Sequence, residues 1–144
     1  MPFSTRTSDV GVFAGHEHGL RRLIVQVQPV APDEVAHLHR HDDADQILSV
    51  LQGQVAIEVD GESRICRPGE IAIAPAGSAH GFRGTGVAAL LEVIGEQARG
   101  TVFLLADGEE IEVHRPGVPW DRPGTATDMS ALDSRMLPPR LPSS

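Results

Sequence analysis

The chain has 144 residues, 40% hydrophobic and 22% charged, with a formal charge of −8, which fits one globular domain with its own core and excludes wholesale disorder. A single Cys leaves no internal disulfide and no Cys-built zinc site, and twenty carboxylates against twelve Arg, with no Lys at all, speak against nucleic acid as a partner. No apolar run approaches the roughly 18 residues of a membrane span, and the polar stretch from Met1 to Val12 lacks a secretory-signal core, so no membrane partner and a cytoplasmic location are expected.

In chain order, the first segment to Gly19 is mixed and carries His16 and His18 in a Gly-flanked stretch expected to be a surface loop. Leu20–Val27 reads as a strand, and Pro29 and Pro32 are expected to end it. Val35–His41 has a spacing of two, which places His37, His39 and His41 on one face if the segment is extended. Asp42–Asp45 looks like a solvated acidic turn, and Gln46–Leu51 like a buried strand closing at Gly53. Val55–Val59 alternates up to Asp60-Gly61, a strong hairpin signal, with Ile65 and Cys66 in the return strand and Cys66 a buried, small apolar residue. Further strands are expected at Ile71–Ile73, His80–Arg83, Val87–Ile94, Thr101–Leu105 and Ile111–His114, with His114 on the solvent side of its hairpin beside Glu110 and Glu112.

Short strands separated by Gly and Pro turns argue an all-β sandwich or barrel. From Pro116 the character changes, since six of the eleven prolines fall in the last 29 residues. We therefore expect a barrel domain over 1–115 and a tail over 116–144. The tail is expected to pack on the barrel or on a partner subunit through Trp120, with one short helix near Thr127–Leu137.

The seven His are unevenly spread, and their clustering carries the chemistry. His39 and His41, two apart on a strand, point to one side with Cα atoms about 6.5–7 Å apart, so their imidazoles can converge on one cation. Imidazole suits zinc, iron, nickel, copper and manganese, so the pair names a site without naming the ion. A third His, His80, follows the turn-rich stretch from Gly69 through Pro75 and Gly77. His37 cannot easily share one ion with both others, because positions 37 and 41 lie about 13 Å apart along an extended strand. It either completes the site through a bend or lies one step along the same face as an acid/base candidate.

These stretches resemble the two sequence motifs of the cupin superfamily. The first motif reads His-x-His, three or four residues, Glu, six residues, Gly; His39, His41, Gln46 and Gly53 match it with a gap of four. The second reads Gly, five residues, Pro-x-Gly-x-x-His, three residues, Asn; Gly69, Pro75, Gly77 and His80 match it, and Gly84 stands where Asn is usual. The resemblance spans roughly residues 20–115. It implies a single small β-barrel or double-sheet jelly roll with a divalent metal in its mouth, held by His39, His41 and His80, with Gln46 at the usual Glu position. A neutral amide there leaves the ion its full charge, which makes a stronger Lewis acid or a weaker hold on the metal. Zinc is the favoured ion, with iron, nickel or manganese as alternatives, and the open three-His arrangement is of catalytic type.

Such a metal polarises a carbonyl or activates water, and His37 could remove the adjacent proton. Leu48, Val50, Val55, Ile57, Phe82, Leu90, Leu91 and Phe103 are expected to line a cavity for an apolar or aromatic carbonyl substrate. Small cupins that cyclise bacterial aromatic polyketides are similar in size, so a metal-dependent polyketide cyclase of antibiotic biosynthesis is the leading expectation. A three-His non-haem iron dioxygenase acting on a diketone or aromatic is the second, and a non-catalytic small-molecule binder the third. The resemblance also implies a homodimer, formed through a sheet face expected to expose Ile24, Ile47 and Leu51.

Overall fold

The computed structural model describes residues 11–14, 19–96, 98–114 and 134–142. Eleven strands account for the regular structure of these residues, none of which is helical: β1 (Gly11–Ala14), β2 (Leu23–Val30), β3 (Val35–Arg40), β4 (Gln46–Gln52), β5 (Val55–Val59), β6 (Glu62–Cys66), β7 (Ile71–Ala74), β8 (His80–Gly84), β9 (Ala89–Glu96), β10 (Gly100–Leu104) and β11 (Glu110–His114). They form two antiparallel sheets, of order β1-β2-β9-β4-β7 and β11-β10-β3-β8-β5-β6. The all-β jelly-roll architecture is therefore as the sequence implies. Among the described residues no helix is long and apolar enough to cross a membrane.

The alternating residues of both sheets meet in a core of Ile24, Val30, Leu48, Val50, Val55, Ile57, Phe82, Leu91 and Val93. Each such side chain contributes roughly 1.5–3 kcal/mol by leaving water, so this cluster is the main source of sheet-to-sheet adhesion. The Asp60-Gly61 turn is read correctly from sequence: φ of 49° and 85° at its two residues is the twist that an antiparallel hairpin needs. Phe103, Leu105, Val113 and Met136 form a second, smaller cluster.

Several expectations are corrected. Strand β2 runs through Pro29 to Val30. Among the described residues β1 covers β2 only at Val25–Val27, so Pro29 lies where one side of the strand is an edge and a missing N–H costs no ladder bond. A strand forms at Gly11–Ala14, where only a mixed segment was expected. Ile24 is 1% exposed and belongs to the core, not to an outer face. Met136 pairs with Leu105 in an isolated β-bridge after a turn at residues 134–135, so the C-terminal end of the expected helix is extended chain. The rest of that helix, Trp120, His16 and His18 lie outside the described residues, as does the side chain of His114.

Candidate metal centre

Strands β3 and β8 pair in one sheet with His39 opposite His80, which is why two distant motifs meet. His41 follows two residues after His39, just beyond the strand end, and keeps the inward direction. The ring centroids of His39 and His80 are 4.4 Å apart, those of His39 and His41 5.1 Å, and those of His41 and His80 5.5 Å. One ligand atom from each of the three lies within 4.8 Å of the others. His41 and His80 are buried and His39 half-buried, so the cluster sits inside the barrel mouth.

The three rings are oriented alike. Nδ1 of His39 faces the carbonyl of His37 at 2.7 Å, Nδ1 of His80 faces that of Ser78 at 3.0 Å, and Nδ1 of His41 faces that of Gly100 at 3.2 Å. A carbonyl can only accept, so each ring carries a proton on Nδ1, which leaves Nε2 of His39 and His41 as lone-pair atoms. This is the outer support characteristic of metal-binding imidazoles, which fixes tautomer and direction together. Thr101 adds its hydroxyl 3.3 Å from Nδ1 of His41.

Gln46 enters from the opposite wall, on β4, with its side-chain oxygen 3.0 Å from Nε2 of His80. The two atoms are close enough that one small cation could be held by both. The donor set of three imidazoles and one amide oxygen, with its preset tautomers, fits a divalent cation; it does not choose among zinc, iron, nickel and manganese.

The loop between His41 and Gln46 is the solvated acidic turn expected, with Asp42, Asp43 and Asp45 exposed, and it is also tethered. Gly77 N–H donates to the carbonyl of His41, Ala76 N–H to the carboxylate of Asp45, and Arg99 N–H to that of Asp43. The two acidic side chains therefore pin the loop that separates His41 from Gln46 to its neighbours.

His37 is placed differently from its neighbours. Ala36 pairs with Phe82 and His39 with His80, so β3 spends three steps where β8 spends two, and a bulge interrupts the alternation expected through 37, 39 and 41. Val35, Ala36, His39 and His41 line the cavity, while His37 is half-buried off its lining and contributes its carbonyl to His39.

That cavity, of about 320 Å³, is completed by Gln26, Gln28, Glu34, Gln46, Leu48, Phe82, Val93 and His80. Of the apolar residues expected to line it, only Leu48 and Phe82 do. Val50, Val55, Ile57 and Leu91 are consumed in the sheet-to-sheet core, and Phe103 packs in the second cluster with its ring 5.7 Å from His39. Gln26, Gln28 and Glu34 were not anticipated as site residues. Their signal was the pair of amides two apart in an otherwise apolar strand, which places both on one face; that face turns out to be the inner one.

Gly84 takes the place of the motif's usual Asn for a steric reason. A Cβ at this position would collide with the carbonyl of Ala31 and stand 2.5 Å from that of Pro32, and its N–H donates to the carbonyl of Glu34. The turn before β3 lies directly over it.

Residues 26–94 match the Cupin domain family. The chain belongs to the cupin superfamily. Among solved structures, this cupin is similar to TT1209 from Thermus thermophilus, at 30% identity and TM-score 0.54 over 60% of this chain and 79% of the other. It is also similar to KdgF from Halomonas sp., at 28% identity and TM-score 0.51 over 52% and 68%. The cupin described as a sugar phosphate isomerase, SPO2919 from Silicibacter pomeroyi, shares the fold at 22% identity and TM-score 0.55 over 74% and 76%. No curated protein matches the chain. The family and the three-His cluster make a metal-dependent enzyme plausible.

Proposed function

We propose that this cupin is a metal-dependent enzyme that enolises a compact carbonyl compound and, in the finer reading, cyclises a poly-carbonyl chain by an aldol-type step. The observation that supports it is the meeting of three tautomer-fixed imidazoles and the Gln46 amide at the floor of a cavity lined by further amides. His39, His41 and His80, with Gln46, would hold the ion, zinc in our reading. When bound, a divalent ion in a neutral ligand set supplies Lewis acidity toward a carbonyl oxygen.

The remaining lining assigns the other roles. Gln26 and Gln28 offer amide N–H donors, which suit the carbonyl oxygens of a poly-carbonyl substrate better than an apolar wall does. Among the described residues lining the cavity, Glu34 is the ionisable one outside the histidine cluster. We assign proton transfer to Glu34 in place of His37, whose ring lies off the lining. Its carboxylate takes the proton from the carbon beside one carbonyl. That carbon then bonds to a second carbonyl carbon of the same molecule, whose oxygen receives a proton. Leu48, Phe82 and Val93 exclude water on the inner side.

The test is metal analysis of the purified protein followed by anaerobic incubation with a linear poly-β-carbonyl compound. Bound zinc and a cyclised product formed without oxygen are expected. Bound iron with oxygen consumption that zinc abolishes would instead select the dioxygenase reading, and no turnover in either form would leave a binding role.

We also propose a homodimer. Val25, Ile94, Ile47 and Ile73 lie in one row across β2, β9, β4 and β7, on the face turned away from the core. Ile73 is 60% exposed, with Ile71 and Leu23 beside the row also open to solvent. A second copy related by a two-fold axis would cover such a row with the same row. Sedimentation at micromolar concentration tests this, a monomer being the contrary result.

A further inference from the structure

Residues 134–142 cross the outer face of the six-stranded sheet, and they do so where β3 leaves its regular pairing. The β10–β3 ladder consists of Val102 with Arg40 and Phe103 with His39; continued, it would place Leu104 against Leu38. Leu137 occupies that rung. Its N–H donates to the carbonyl of Leu104 at 3.1 Å, and its carbonyl accepts the N–H of Leu38 at 2.8 Å. Leu38, with His37 one of the two residues in the bulge, is only 8% exposed, and the strap supplies the acceptor for its N–H.

The bulge has a direct consequence at the metal centre. It contains His37, whose carbonyl stands 2.7 Å from Nδ1 of His39, so the backbone path through the bulge places that acceptor. Sheet, bulge and strap are packed without slack here. A Cβ on Gly81 would stand 2.6 Å from the carbonyl oxygen of Ala36, 3.2 Å from the carbonyl carbon of His37 and 2.9 Å from Cγ of Pro139. The strap is fastened on both sides of Leu137. Before it, Ala106 N–H donates to the carbonyl of Arg135, and Met136 is buried with Phe103, Leu105 and Val113. After it, Arg83 donates to the carbonyl of Pro139, Arg140 N–H to the buried carboxylate of Glu58 at 2.7 Å, and the Ser63 hydroxyl to the carbonyl of Arg140. The carbonyls that orient His41 and His80 belong to Gly100 and Ser78, outside this chain of contacts.

We propose that Leu137 is a positioning residue for the metal centre: through Leu38 and the bulge it holds the His37 carbonyl that sets the tautomer and direction of His39. The C-terminal strap thereby tunes one ligand of the three. This rests on the metal reading above, so the experiment separates the two. Full-length wild type, Leu137→Pro, Leu137→Gly, Glu58→Ala and Leu91→Ala are compared by Co²⁺ titration and by the ¹⁵N-detected Nδ1–H resonances of their histidines in the metal-free protein. Leu137→Pro, which cannot donate to Leu104, is expected to lower Co²⁺ affinity about tenfold, the scale of losing an outer-shell support, and to lose the His39 resonance while that of His80 persists. Leu137→Gly and Glu58→Ala, which loosen the strap without removing an N–H, should move in the same direction and serve if the proline variant does not fold. Leu91→Ala, in the core of the other sheet, should lower thermal stability with affinity within about twofold of wild type, since it touches neither the strap nor the cavity lining. The proposal is overturned if the His39 resonance and the affinity survive in the strap variants, or if affinity follows stability in all variants including Leu91→Ala. Failure of wild type to bind Co²⁺ overturns the metal reading instead, and the His39 resonance still judges the strap.

Discussion

The two sheets share a core but differ in what they carry on each face. The six-stranded sheet bears all three histidines inside and is crossed outside by the C-terminal strap. The five-stranded sheet contributes Gln26 and Gln46 inside and leaves a row of branched aliphatics open outside. Rigid support stands behind the side chains whose geometry is most demanding, since an imidazole must aim one lone pair whereas an amide can rotate to suit. The wall that supplies the amides is the one whose outer row of aliphatic side chains is open to solvent.

Removing a ligand from each wall should show the asymmetry most strongly. His80→Ala takes away a donor and the Gln46 partner together, and is expected to lower cation affinity by at least about 100-fold, read by calorimetric titration. Gln46→Ala should cost about tenfold, because a neutral amide oxygen is the weakest donor of the set. Gln46→Glu, which restores the motif's carboxylate, should tighten binding above wild type. Equal losses for His80→Ala and Gln46→Ala would erase the distinction between the walls.

The outer faces give the next contrast. Met136→Ala empties a buried position under the strap and is expected to destabilise by about 2–3 kcal/mol in urea unfolding. Ile73→Lys, on the open face, should change monomer stability by less than about 0.5 kcal/mol while shifting the dimer to monomer in sedimentation. A large stability loss from Ile73→Lys in the monomer would mean that this chain covers the row itself.

What could be read from the sequence follows the range of the interaction. The His39–His41 pair and the Asp60-Gly61 hairpin are set by spacing within a few residues; the structure forms the hairpin and brings the pair together with His80. The bulge at 37–38 was not legible, because strict alternation through three histidines is the simplest local pattern and the extra residue is stabilised by Leu137, from the far end of the chain. Gln26 and Gln28 were missed for another reason. Polar residues on a strand normally face water, and only a hollow barrel mouth reverses that rule. The apolar residues assigned to the cavity were real core residues; alternation identifies the inner face but not where along the strand the two sheets part. Gly84 in place of Asn is explained only by the backbone of Ala31 and Pro32 lying against it.

The smallest expected effect concerns how the histidine-bearing sheet is closed at its edge. Arg40, which follows His39, makes a two-pronged contact with Glu110 on β11 at 2.7 and 2.8 Å and a further one with Asp42. The hydrogen bond and charge of Arg40 hold the Glu110 carboxyl below its ordinary value. A depressed carboxyl stabilises the fold above its unfolded pKa, near about 4.3, and that contribution disappears as pH falls through the lower folded value. Wild type should therefore lose slightly more stability than Glu110→Gln between about pH 6 and pH 3, measured by the urea midpoint. Because Glu110 is exposed, salt should shrink the difference. Every other titrating group is common to the two proteins, so only the difference between them reports on Glu110. Parallel pH profiles at low salt would show that the pair adds nothing to the edge, and that β11 is held by its ladder to β10 and by Val113 in the second cluster.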